Sequence, residues 1–235
     1  PDKGILGGLL SPIKFLKSIN LYLLRKAAKS AQRIVTFSQF SRNLVEIALG
    51  NNFISRVEVV SPGVDPSWLE VKRNSVLPSR LLFWGRIEEE KGLLELFTAI
   101  KKVSMKIPEV TLMIVGEGSQ TQNYKRIISG WGLSDRIKFS GWLSTQEIQE
   151  LAMEYSLGIF PSRIESFGLS VVEAMACGLP VIATRAGAIP ENVENGITGT
   201  LVPIENSNLL AEALVDALKN PRTQETMACK ARSAV

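Results

Sequence analysis

Leu157-Gly158-Ile159-Phe160-Pro161-Ser162-Arg163-Ile164-Glu165-Ser166-Phe167-Gly168-Leu169-Ser170-Val171-Val172-Glu173-Ala174-Met175-Ala176-Cys177-Gly178-Leu179-Pro180-Val181-Ile182-Ala183 is the stretch that decides the fold. Leu157 to Phe160 is a short continuous apolar run, the pattern of a strand buried on both faces. About Gly168 to Cys177 reads as a helix, with Gly178 as its C-cap. Pro180 to Ala183 is a second apolar run. A strand, a helix and a strand in close succession fit parallel pairing with a helical crossover.

The same rhythm extends outward. Upstream, strands are expected at Arg80–Trp84, Val110–Val115 and Ile137–Phe139. They alternate with helices at about Gly92–Ile107, Ser119–Ser129 and Ser144–Tyr155. The last helix carries a capping box of Ser144 and Glu147. Downstream lie a strand near Thr200–Val202 and a helix near Asn208–Lys219. The expected fold is therefore α/β, a doubly wound parallel sheet of Rossmann-like type. Before it, a helix over residues 13–32, an apolar run at Ile34–Phe37, a helix near 40–50 and a strand at Val57–Val60 form a separate group. The turn-rich Ser61-Pro62-Gly63-Val64-Asp65-Pro66 is the best boundary.

Composition narrows the chemistry. The 235 residues are 45% hydrophobic, too apolar for a disordered chain. There is no histidine, so no imidazole base, Ser-His-Asp triad or His-ligated zinc exists within them. Cys177 and Cys229 lie far apart, without metal spacing or a disulfide framework. Cys177 lacks a basic neighbour in sequence and reads as a small buried residue. The net charge of +4 suits an anionic small ligand better than nucleic acid. The basic apolar stretch at 13–29, with Lys14, Lys17, Arg25, Lys26 and Lys29, fits either an anionic membrane surface or an ordinary packing helix. No apolar run is long enough to span a bilayer. With no initiator Met and a helix-like end at Met227–Val235, the sequence reads as a fragment, in a reducing cytoplasmic setting.

Doubly wound sheets bind ligands beyond the carboxyl ends of their strands. Those ends carry Gly85-Arg86, Gly116-Glu117-Gly118, Ser140-Gly141-Trp142 and Pro161–Glu165. Arg86 and Lys91 flank a strand-to-helix turn and suit a diphosphate, or else belong to a solvated charged turn. Gly116 by itself is a common tight-turn glycine. Phe167 to Ser170 are expected to open a helix whose free backbone N–H groups suit phosphate oxygens. Glu165 and Glu173 are expected to face one crevice, where carboxylates accept from sugar hydroxyls. Gly187, in Ala186-Gly187-Ala188-Ile189-Pro190-Glu191, lies near the same edge.

Together these stretches resemble the family 4 retaining glycosyltransferases of GT-B architecture. The resemblance rests on Gly85-Arg86…Lys91-Gly92, Val115-Gly116-Glu117-Gly118, the Glu-x7-Glu pair Glu165 and Glu173 with its glycine-rich flank, and Gly178–Thr184. It implies that Arg86, Lys91 and Glu165 carry the chemistry. Gly85, Gly116, Ile137, Ser166, Phe167, Gly168, Leu169 and Glu173 would bind donor, with Ile137 near the base. It also implies a nucleotide-diphosphate-sugar substrate, an acceptor glycan, lipid or small molecule, and no metal or cofactor. Residues 1–60 would be the end of an acceptor-side domain, 61–66 a linker and 67–235 the donor domain, inactive alone. The alternative is a non-catalytic nucleotide-sugar-binding module. A cytoplasmic location follows, at the inner membrane surface if residues 13–29 lie on lipid.

Overall fold

The computed structural model describes residues 22–73 and 76–235. These divide after Ser61 into two compact units. In the first, residues 22–30 are helical (α1). Of the helix expected over 13–32, residues 13–21, with Lys14 and Lys17, lie outside the described residues, and residues 31–32 are not helical. β1 (Ile34–Thr36) pairs in parallel with β2 (Val57–Val59), and α2 (Gln39–Leu49) lies between them in the chain. Ser38 caps α2, its hydroxyl accepting from the Ser41 N–H at 3.0 Å.

The second unit begins with α3 (Ser67–Glu70) and continues as β3 (Leu77–Trp84), α4 (Leu93–Val103), β4 (Thr111–Val115), α5 (Thr121–Gly130) and β5 (Ile137–Gly141). Next come α6 (Thr145–Glu154), β6 (Tyr155–Phe160), α7 (Leu169–Ala176), β7 (Val181–Thr184), α8 (Ile189–Asn192), β8 (Thr200–Val202), α9 (Ser207–Lys219) and α10 (Pro221–Ala234). The six strands form one parallel sheet in the order β5-β4-β3-β6-β7-β8. That is the doubly wound order, with the chain reversing direction across the sheet between β3 and β6. The central strands carry Leu81, Leu82, Leu157 and Ile159, each at most 1% exposed, because helices cover both faces.

Local sequence accounts for most boundaries. The Ser144–Glu147 capping box is present in both directions and starts α6. Gly92 stops the preceding 3₁₀ turn and starts α4, one residue later than a helix from Gly92 would. β3 begins three residues earlier than expected, at Leu77. Pro78 obscured the pattern there, and the register with β6 shifts between Leu77 and Leu81. Ser79, within this shift, has a φ of 60°.

Two glycines hold the strand-end loops close together. Gly92 has φ +66°, and a Cβ there would sit 2.0 Å from the Pro161 carbonyl oxygen. Gly116 has φ +126°, and its Cβ would meet the Gly85 carbonyl oxygen at 2.1 Å. Both obstacles are backbone and cannot swing aside. Gly92→Ala is therefore expected to destabilise the protein by more than about 2 kcal/mol, read from the urea midpoint. An unchanged midpoint would mean that the Gly92–Pro161 approach is not a constraint.

Candidate functional site

β3 and β6 are sheet neighbours on either side of the reversal, so the loops after them open side by side at its carboxyl edge. The first loop carries Gly85, Arg86 and Lys91; the second carries Ser162, Glu165 and Phe167. The structure joins them through charge. Lys91 Nζ donates to Glu165 Oε2 at 2.6 Å, with side chains only 16% and 17% exposed. The Ser162 hydroxyl donates to the same oxygen at 3.4 Å. The Glu165 carbonyl accepts from the Ala188 N–H at 3.0 Å, and the Phe167 carbonyl from Asn192 Nδ2 at 2.6 Å. The segment containing Gly187 thus holds the loop from its far side.

At the same carboxyl edge is an open cleft of about 380 Å³, lined by neither Lys91, Glu165 nor the residues from Ser166 to Leu169. Of the residues expected in the site, it gathers Gly85, Arg86, Gly116 and Glu173. Arg86 is exposed and pairs with Glu90 at 3.1 Å. Glu173, on α7, accepts from Trp84 Nε1 at 2.7 Å. Burial pushes the Glu173 carboxyl above its ordinary value, and the Trp84 bond partly offsets this. Trp84 stacks on Trp68, with ring centroids 5.8 Å apart and planes 8° from parallel.

The remaining candidates are placed as follows. Gly168 is the N-cap of α7 at φ +90°, with no side-chain cap, and Leu169 is its exposed first residue. Phe167 is buried, and Ser166 is exposed beside Glu165. Ile137 does not join them. It opens β5 at the amino edge, 1% exposed, and does not line the cleft. A parallel strand presents only its carboxyl end to the crevice, and in β5 that end is Gly141, followed by Trp142.

Sequence reasoning missed the aromatic wall of Trp68, Trp84 and Trp142. The available signal was position: Trp84 ends β3 just before Gly85, and Trp142 follows Gly141. Cys177 is buried, with its thiol pushed up to about 11 chiefly by burial, so it is not a nucleophile at neutral pH. Among the described residues there is no cluster of three or more metal-ligating side chains, and no helix long and apolar enough to cross a membrane.

Residues 70–234 match the family model described as glycosyl transferases group 1. Among curated relatives, the chain is 26% identical over 226 residues to the GDP-mannose-dependent alpha-(1-6)-phosphatidylinositol monomannoside mannosyltransferase of Mycolicibacterium smegmatis. That match covers 89% of this chain and 59% of the relative. Among solved structures, Anabaena Alr3699/HepE in complex with UDP-glucose superposes with a TM-score of 0.79 at 27% identity, covering 92% of this chain and 62% of that one. The C-terminal domain of a glycosyl transferase group 1 family protein (LpcC) from Francisella tularensis gives 0.67 at 27% identity, covering 74% and 96%. The chain spans about half the length of the curated relatives it matches.

Proposed function

The chain belongs to the group 1 glycosyl transferases, and on that premise we propose that it forms the donor site of a retaining, metal-independent transferase of family 4. It takes a sugar from a nucleoside-diphosphate donor. The observation that carries this reading is the 2.6 Å Lys91–Glu165 pair, standing where the two central strand loops meet and beside the start of α7. A cation and a carboxylate held there divide the work on a sugar nucleotide. Lys91 and Arg86 meet the diphosphate and stabilise the charge that grows as the nucleotide leaves. The backbone N–H groups of Phe167, Gly168 and Leu169, just before and at the start of α7, point the helix's positive end toward the donor in place of a metal. Glu165 accepts from hydroxyls of the transferred sugar and Glu173 from the ribose. Trp142, 71% exposed in the cleft wall, offers a flat face to the base. The UDP-glucose held by the Anabaena neighbour supports a donor of this class.

In this reading residues 1–60 end the acceptor-side domain, 61–66 form the linker and 67–235 are the donor domain. Residues 1–235 alone then bind donor without transferring sugar to an acceptor glycan, lipid or small molecule.

Glu173 provides the test. Because burial raises its carboxyl, folding favours the protonated form. The stability it contributes is present below the ordinary carboxylate range and is lost as pH rises through the raised value. Above that raised value its buried charge is a cost. Glu173→Gln keeps an acceptor for Trp84 Nε1 and should melt at a higher temperature than the parent where the carboxylate is charged, a gain that shrinks as pH falls through the raised value. It should also bind UDP or GDP about tenfold more weakly in calorimetry, having lost a charged acceptor. Unchanged nucleotide affinity would count against the ribose role.

A further inference from the structure

The loop that carries Lys91 poses an electrostatic problem. Glu88, Glu89 and Glu90 precede Lys91, and Glu95 follows in the first turn of α4. Four carboxylates around one lysine would compete with Glu165 for it and repel a diphosphate. Each has another partner. Glu88 accepts from the Ser119 N–H at 2.8 Å and from its hydroxyl. Glu90 pairs with Arg86. Glu89 and Glu95 are both taken by Arg163, on the opposite loop. Arg163 reaches Glu95 at 2.5 Å through Nη2 and 3.2 Å through Nε, and Glu89 at 3.1 Å through Nη1. Glu205 lies 3.4 Å from its Nε.

The backbone follows the same path: the Arg163 N–H donates to the Glu90 carbonyl at 2.7 Å. Arg163 stands two residues before Glu165, and the carboxylates it holds stand two residues before and four after Lys91. The second oxygen of Glu95 is buried and has no hydrogen-bond partner, so Arg163 supplies all the hydrogen bonds that carboxylate accepts.

We propose that Arg163 is a positioning residue that clamps the Glu165 loop to the Lys91 turn and removes the competing carboxylates, so that Lys91 faces Glu165 and the incoming diphosphate alone. The inference rests on the donor-site reading above. It assigns Arg163 no contact with substrate; its effect passes through Lys91.

A double-mutant cycle in the full-length protein separates this from a merely structural role, with the dissociation constants of UDP and GDP as readout. Lys91→Ala should weaken the nucleotide that binds by about tenfold, and Arg163→Met by about five- to tenfold. The double variant should bind no worse than Lys91→Ala alone, because the clamp has nothing left to position. Arg163→Lys, which keeps one cation against Glu95, should recover part of the loss and carries the test if Arg163→Met does not fold. Effects that multiply in the double variant, or an Arg163 variant that folds and binds like the parent, would overturn the clamp. If the parent binds neither UDP nor GDP, or Lys91→Ala changes nothing, the donor-site reading itself fails, and the clamp with it.

Discussion

On the donor-site reading, Lys91→Ala in the full-length protein is expected to lower sugar-nucleotide turnover by about 10²–10³-fold, the loss typical of removing one preorganised charge from a developing anion. The neighbouring Arg86→Ala is expected to lower it by orders of magnitude as well. The two should differ in what they do to the fold. Arg86 is exposed, and its pair with Glu90 lies at the surface, where an ion pair contributes about 0–1 kcal/mol. Its loss should leave the melting temperature almost unchanged. Lys91 is mostly buried against an equally buried Glu165, and removing it strands that carboxylate with only the Ser162 hydroxyl. Lys91→Ala should therefore lower both turnover and melting temperature. Near-parental turnover in both variants would sink the assignment. Steady-state rates beside thermal melts provide both readouts.

The sheet was legible because its central strands carry short, continuous apolar runs, Leu81–Trp84 in β3 and Leu157–Phe160 in β6, and Ile159 or Leu81 has no solvent-facing side to disguise. The candidate residues were legible as positions at strand ends. Their partnerships were not. Lys91 and Glu165 are 74 residues apart, and Trp84 and Glu173 are 89 apart. No local spacing encodes such contacts; they follow from β3 and β6 becoming neighbours in the doubly wound order. Ile137 differs: the resemblance places it near the base, whereas the direction of β5 puts it at the amino edge, away from the cleft. Arg163 has no role legible in the sequence, because a single arginine acquires meaning only once Glu89, Glu95 and Glu205 converge on it.

Glu165→Gln is expected to move nucleotide binding and sugar transfer in opposite directions. In the structure Glu165 neutralises Lys91, so a diphosphate must draw the ammonium away from a carboxylate 2.6 Å distant. The isosteric amide removes that competing charge while still accepting from Lys91. Free UDP or GDP should then bind about three- to tenfold more tightly, a gain that shrinks with added salt. Transfer should fall by about 10²-fold. In the proposed role, a charged acceptor for the sugar hydroxyls is lost, and positive charge building at the anomeric carbon loses a nearby counter-charge. A carboxylate that only braced the loop would give a different pattern, with both quantities falling together as the loop loosened. Calorimetry on the nucleotide beside steady-state transfer in the full-length protein distinguishes the two, and a parallel loss in both would remove Glu165 from the chemistry.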